Sequence, residues 1–304
     1  MHFSPLPLLA LVSIWATSCV GPKALQPASQ NPSPMEDHTR LHERITDYPL
    51  VGRTIVIQNV LSNPVSVFVP EAVAMADSFD ILIHFHGSAF IANTAVARLE
   101  PPMVAVNVHL GSGSSIYERP FLDGRRFDAL VKTVSDSLST LDLAREPEPR
   151  IYLSAFSAGY GAVRAILRTS ANRITGILLL DGLHTDYVPD RTVFSEGGAL
   201  EESRLAPFVE FARMAVKGDK RLVITHSEIF PGTFASTTET SDYIIRSLDL
   251  ERTPVLEWGP GGMQLLSRTE AGRFTVLGFA GNTGPDHVDH LHGMPEFLID
   301  LVDS

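Results

Sequence analysis

Ile151-Tyr152-Leu153-Ser154-Ala155-Phe156-Ser157-Ala158-Gly159-Tyr160-Gly161-Ala162-Val163-Arg164 is a short apolar β-type run that passes without a spacer into a helical pattern, with Ser157 at the corner. A corner of this kind projects the serine hydroxyl away from the backbone. It also aims the next amide, Ala158 N–H, at the space where an oxyanion would form. Strand and helix pass so close there that the positions two residues either side of the serine must be small, and Ala155 and Gly159 meet that requirement. The segment therefore predicts a strand–serine–helix turn able to carry a nucleophile.

Working outward, apolar runs at Asp80–Phe85, Met103–Val108, Ile151–Ser154, Ile174–Leu180, Arg221–Thr225 and Phe274–Phe279 predict strands, most of them apolar on both faces. Such strands belong to a sheet covered by helices on both sides. Between them, apolar residues at helical spacing predict helices over Phe127–Leu141, Gly161–Thr169, Leu205–Val216, Ser241–Leu248 and Pro295–Val302. Alternation of the two predicts an α/β domain with a doubly wound, mostly parallel sheet. Ahead of it, Ile55-Val56-Ile57 and Val65–Val69 flank the turn-forming Ser62-Asn63-Pro64 and predict an N-terminal antiparallel hairpin. The stretches Leu183–Lys220 and His226–Phe274 are longer than ordinary connections and are expected to wall the substrate pocket.

The chain is 304 residues long with 44% apolar content, enough for one large core. Its formal charge of −11 and the lack of a Lys/Arg-rich run exclude a nucleic-acid partner, since phosphate backbones are bound by clustered cations. Leu6–Ala16 is apolar but too short to span a bilayer, and it runs into Ala16-Thr17-Ser18-Cys19. Residues 1–18 are therefore expected to be an export signal. Ala16 to Cys19 resembles a lipobox, which implies a diacylglyceryl anchor on Cys19 and a periplasmic or cell-surface location; Ala16-x-Ser18 also suits ordinary signal-peptidase cleavage. Residues 19–48 are rich in Pro, Ser, Gln and Asn and are expected to be a disordered tether, leaving 49–304 as the folded domain. Contact with a membrane is then expected through the lipid anchor alone. Cys19 is the sole cysteine, so neither an intrachain disulfide nor a thiolate metal site is available.

In open α/β sheets ligands gather at the carboxyl ends of the strands. His86-Gly87-Ser88 follows one such strand, and a glycine there lets the amides of Gly87 and Ser88 come close to a ligand, as the second half of an oxyanion hole would require. The strand after Ser157 ends in Asp181-Gly182. A carboxylate at that point can orient an imidazole and stabilise the imidazolium. Glu228, just past Leu222–Thr225, and Asp186 are rivals; Asp181 sits most closely against a strand end. The last strand is followed by Gly284-Pro285-Asp286-His287-Val288-Asp289-His290-Leu291-His292, where a general base belongs.

These features together resemble the α/β-hydrolase superfamily, in its serine esterase and lipase-like members: a strand–Ser–helix corner, His-Gly after an earlier strand, and the order serine, acid, histidine along the chain. Many members close with His-x-x-His-Leu followed by Pro-Glu-x-Phe, in which the first histidine is catalytic; His287-Val288-Asp289-His290-Leu291 and Pro295-Glu296-Phe297 are similar. The resemblance, which runs from about Thr54 to Asp303, implies His287 as base with His290 second. The Ile174-Thr175-Gly176 to Leu180-Asp181 string likewise looks like the acid-bearing strand of the pancreatic-lipase branch. What it implies is a serine hydrolase that cleaves a carboxylic ester, from a small molecule or a glycan, through an acyl-enzyme on Ser157 and without a cofactor. Two other readings stand beside it. Eleven histidines, with His84-x-His86 on a strand and His287, His290 and His292 among Asp286 and Asp289, could form a metal-dependent hydrolase. Alternatively, the fold could serve as a non-catalytic binding lipoprotein.

Overall fold

The structure, a computed structural model, describes residues 41–143 and 148–303. The expected export signal, Cys19 and the tether up to residue 40 lie outside the described residues.

The centre is a sheet of ten strands. A hairpin of β1 (Gly52–Ile57) and β2 (Val65–Pro70) opens the domain and is followed by α1 (Glu71–Met75). Next come β3 (Asp80–Phe85), α2 (Ala89–Ala97), β4 (Met103–Val108), α3 (Ser114–Phe121) and α4 (Gly124–Ser139). After β5 (Ile151–Phe156), α5 (Tyr160–Ser170) and β6 (Ile174–Leu180), a two-stranded ribbon of β7 (Tyr187–Val188) and β8 (Ala199–Leu200) precedes α6 (Ala206–Val216). The chain ends with β9 (Arg221–His226), α7 (Thr237–Ser247), β10 (Thr253–Trp258), β11 (Gln264–Ala271), β12 (Phe274–Phe279), α8 (Gly284–His292) and α9 (Met294–Asp303). Strand order in the sheet is β1-β2-β4-β3-β5-β6-β9-β12-β11-β10. The run from β4 to β12 is parallel, β2 is antiparallel to β4, and β10 and β11 pair antiparallel at the far edge. This is a doubly wound, mostly parallel α/β sheet with an N-terminal antiparallel hairpin, as the sequence predicts.

Successive side chains of a strand point to opposite faces, and both faces here are apolar. Ile81, Ile83 and Phe85 of β3 join Ile151, Leu153 and Ala155 of β5 in one core, closed by helices that include α4 and α5. Leu82, Tyr152 and Phe156 belong to a second core on the opposite face, closed by α2 and α9. Burial of every residue of β3, β4 and β5 is the reason their runs are legible without alternation.

Four features depart from the sequence reading. Residues 226–274 were expected to wall a pocket; Ile229, Pro231, Phe234 and Thr237 do so, but beyond them the stretch forms α7 and extends the sheet as β10 and β11. β10 escapes a sequence pattern because it is an edge strand, exposed along nearly its whole length and interrupted by Pro254. Helices α2 and α3 arise in stretches to which the sequence pattern gave no element. The segment bearing His287, to which the sequence pattern gave no element, is helix α8: Thr283 and Asp286 form a reciprocal capping box and Pro285 sits in the first turn. Residues 41–48, assigned by composition to the tether, carry no helix or strand but are held to the domain. His42 Nδ1 lies 2.7 Å from Asp289 Oδ2, and Arg44 pairs with the same carboxylate at 2.9 Å. That partner is 247 residues away, which local composition does not reveal. No helix among the described residues is long and apolar enough to cross a membrane.

Candidate active site

β5 ends in Phe156 and the backbone turns at once, with Ser157 at φ +48°, a left-handed conformation that a serine rarely adopts. Two glycines make the turn sterically feasible. A Cβ on Gly159 would lie 2.1 Å from the Phe85 carbonyl oxygen at the end of β3. A Cβ on Gly182 would lie 2.3 Å from the Ser157 carbonyl oxygen and 2.5 Å from its amide nitrogen. The corner is thus clasped between the ends of the two neighbouring strands. On the β6 side Asp181 repeats the device, at φ +41°.

Asp181 is 4% exposed and fully engaged. Its Oδ1 accepts the Ser227 N–H at 2.9 Å, and its Oδ2 accepts the Ser227 hydroxyl at 2.7 Å and the His287 Nδ1–H at 2.7 Å. Burial opposes ionisation of this carboxyl. The charge of the His290 imidazole, the hydrogen bond and charge of His287, and the Ser227 N–H outweigh burial and hold it well below the usual carboxylate range. Because a carboxylate can only accept, His287 must carry its proton on Nδ1, which leaves Nε2 as the basic nitrogen. The His287 ring stacks on Phe156 with centroids 4.5 Å apart, one residue before Ser157.

Ser157, Asp181 and His287 all line one cavity of about 330 Å³, together with Ile229, Pro231 and Phe234. Ser157 and Ala158 also line a second cavity of about 320 Å³, with Tyr160, Asp186 and Arg204 on its walls. In this conformation no hydrogen bond joins Ser157 to His287 among the described residues. Ala158 stands at the start of the helical turn leading into α5, and Ser88 is the N-cap of α2, positions whose N–H groups have no intrahelical acceptor. Gly87 (φ +110°) precedes Ser88; neither of these two lines the cavities at Ser157.

The remaining candidates are placed elsewhere. His290 is 1% exposed in the core, its Nδ1 2.8 Å from Thr225 Oγ1, and burial lowers its pKa. Although it shares a helix face with His287, it does not line the cavity onto which Ser157 opens. Glu228 is exposed and makes a long contact, 3.4 Å, with the Gly281 N–H. Asp186 pairs with Arg204 at 2.7 Å. The histidines considered for a metal do not converge: His84 Nδ1 pairs with Ser154 Oγ, His86 Nδ1 with Tyr117 OH, and His292 Nδ1 accepts the Ile45 N–H. Among the described residues, the metal-type donors that do approach one another are those of His42, Asp286 and Asp289, within 4.8 Å, and Asp289 there is already tied to His42 and Arg44. The reason is geometric, since His84 on the strand is buried while His86 lies beyond its end in a left-handed turn.

Sequence reasoning passed over Ser227, Gly182, Phe156 and His184. Ser227 could have been found, since it immediately follows β9 at the carboxyl edge where ligands gather.

No family model matches the chain, and no curated protein matches it. Among solved structures, a mutant of the feruloyl esterase module from Clostridium thermocellum, complexed with sinapinate, is similar over 86% of this chain and 98% of its own, at 13% identity and a TM-score of 0.48. The enterobactin esterase FES from Shigella flexneri is similar over 86% of this chain and 61% of its own, at 11% identity and a TM-score of 0.49. Est1E from Butyrivibrio proteoclasticus is similar over 83% of this chain and 100% of its own, at 12% identity and a TM-score of 0.43. Likeness at this level carries no activity across, so what this chain does is read from its own side chains.

Proposed function

We propose that the protein is a serine hydrolase that cleaves a carboxylic ester through an acyl-enzyme on Ser157. The observation that carries this reading is the Asp181–His287 pair at 2.7 Å in the wall of the cavity onto which Ser157 opens. His287 Nε2 takes the Ser157 hydroxyl proton as Oγ attacks the ester carbonyl carbon. The tetrahedral oxyanion is met by Ala158 N–H and an amide from Gly87 or Ser88. When the intermediate collapses, the bond from carbonyl carbon to alkoxy oxygen breaks and His287 returns the proton to that oxygen. Water then repeats the sequence against the acyl-enzyme, releasing the acid and restoring Ser157. Asp181 holds the Nδ1–H tautomer and stabilises the imidazolium without taking its proton. Each step uses groups of the chain itself, with no cofactor.

The expected leader and a lipid on Cys19 would place this site outside the cytoplasmic membrane, and a Cys19→Ala variant separates lipid attachment from simple secretion. Treatment of the folded protein with a fluorophosphonate probe tests the reading: one adduct is expected, on Ser157, with loss of esterase activity in step. Full activity in a Ser157→Ala variant defeats it.

A further inference from the structure

Ser157 opens onto two cavities, and the general acid touches only one of them. His287 and Asp181 line the first, with Ile229, Pro231 and Phe234; the second has Ser114, Thr185, Asp186 and Arg204 and no part of His287. An ester bound at Ser157 must put its alkoxy oxygen where His287 can protonate it. The alcohol therefore extends into the first cavity, whose walls are largely apolar, and the acyl group turns into the second, the more polar of the two, where Ser114, Thr185, Asp186 and Arg204 stand among Ala158, Tyr160 and Phe234. This assignment rests on Ser157 and His287 acting as described above.

His184 and Phe234 line both cavities and divide them beside the nucleophile. The orientation of His184 is fixed from several sides. Its Nδ1 lies 2.8 Å from the Ala235 carbonyl oxygen, which can only accept, so the proton is on Nδ1 and Nε2 is an acceptor. Tyr160 and Phe234 meet the ring edge-to-face, at 5.4 and 5.0 Å between centroids. The His184 backbone is anchored as well. Its carbonyl accepts from Arg164, a buried guanidinium that is itself paired with Glu118, and the next carbonyl, Thr185 O, accepts the Ala235 N–H. Burial first, with the charge of His287 adding to it, outweighs the Ala235 hydrogen bond and the field of Asp181, so the imidazole titrates below its ordinary value and is neutral at pH 7.

A neutral acceptor held from several sides in the wall of the acyl cavity has a complement in a hydroxyl on the acyl chain. We propose that His184 is a specificity-determining residue that accepts a hydrogen bond from an acyl hydroxyl, and that the substrates are esters of short hydroxy acids. The Asp186–Arg204 pair on the far wall offers further partners to the polar end of such an acyl group. An apolar acyl chain in the same place leaves these groups without a partner, which is how a hydrogen-bonding site rejects the analogue lacking the hydroxyl.

The test compares p-nitrophenyl β-hydroxybutyrate with p-nitrophenyl butyrate, which share a leaving group and chain length, alongside fluorophosphonate labelling of the same preparation. In the wild-type protein kcat/KM should favour the hydroxylated ester by about tenfold or more. In His184→Leu that ratio should fall towards one, and in His184→Gln, which keeps an acceptor, part of it should return. Labelled Ser157 with a wild-type ratio of one, or with a ratio untouched by His184→Leu, overturns the hydroxyl assignment alone. Should the leucine variant not fold, the wild-type ratio still decides. Neither labelling nor turnover of either ester overturns the nucleophile and this inference together.

Discussion

The middle of the sheet and its far edge solve the same turning problem in opposite ways. At the edge, the left-handed positions between β10, β11 and β12 are all glycine: Gly261, Gly262 and Gly272, at φ between +58° and +70°. At the carboxyl ends of β5 and β6 the same region of backbone space is occupied by Ser157 and Asp181, and beyond β3 by His86 at φ +68°. Left-handed backbone on a residue with a Cβ costs about 1–2 kcal/mol. At these three strand ends the cost falls on side chains presented to a cavity or to a partner, whereas the turns between β10, β11 and β12 avoid it with glycine; elsewhere Asn59, Asp142, Arg191 and Asp249 also take left-handed backbone.

Ser157→Gly breaks this contrast most severely. It removes the nucleophile while relieving the strain, so turnover should fall by roughly a thousandfold or more while the melting temperature holds or rises. Parallel assays of hydrolysis and thermal unfolding check both halves; a variant that stays active, or one that unfolds much earlier, contradicts the reading of the turn.

Asp181→Asn should cost activity on the order of 10⁴-fold, because an amide favours the wrong imidazole tautomer. Glu228→Gln, at the end of the adjacent strand, should change the rate by less than about twofold, as an exposed charge remote from the base does little. Steady-state kinetics on the two variants side by side would sharpen the difference between two acids that look alike in sequence, and equal losses would erase it.

Acid stability separates the buried histidines from the strained carboxylate. Burial, helped by nearby Arg252, lowers His226 to about 4, and burial with His86 nearby lowers His84 to about 3. Each binds its proton more readily in the unfolded chain, whose ordinary value is 6.5. Their stabilisation is thus complete above that value and is lost progressively as the pH falls through the range down to the folded values. Asp181, also held low, contributes above its ordinary value of 3.8 and loses its contribution only below it. Unfolding by urea should therefore become easier between about pH 6 and pH 4, by about 2 kcal/mol from His226 alone. A His226→Gln variant should show a shallower decline; an unchanged slope rules His226 out as its source.

Gly262→Ala carries the smallest effect. Nothing lies within 4 Å of the added methyl, so only the left-handed backbone objects. A loss of about 1 kcal/mol in stability with unchanged hydrolysis is expected from denaturant titration and a rate assay; a large rate effect would mean that the edge hairpin takes part in the site.

What could be read in the sequence followed burial. Strands β3 to β6 lie in the middle of the sheet and are apolar on both faces, so their runs stand out without any alternation. β10 and β11 sit at the margin, half in water, and the same test misses them. Helix α8 was hidden by Gly284-Pro285, a pair that favours turns in isolation but starts a helix once Thr283 and Asp286 cap it. In the site, Ser157 and Asp181 were legible from their places at strand ends. The contacts of Asp181 with Ser227 and His287 were not, because they join residues 46 and 106 positions apart that only the stacking of β6, β9 and α8 brings together. His184 was invisible for the same reason: its tautomer is set by Ala235, 51 residues on.

The covalent intermediate gives the most direct test of the whole account. Wild-type protein mixed with p-nitrophenyl acetate, quenched in acid within the first turnover and digested, should yield an acetylated peptide bearing the modification on Ser157, and the adduct should vanish in Ser157→Ala. Sustained hydrolysis with no acyl adduct, or with the adduct on another residue, would contradict it.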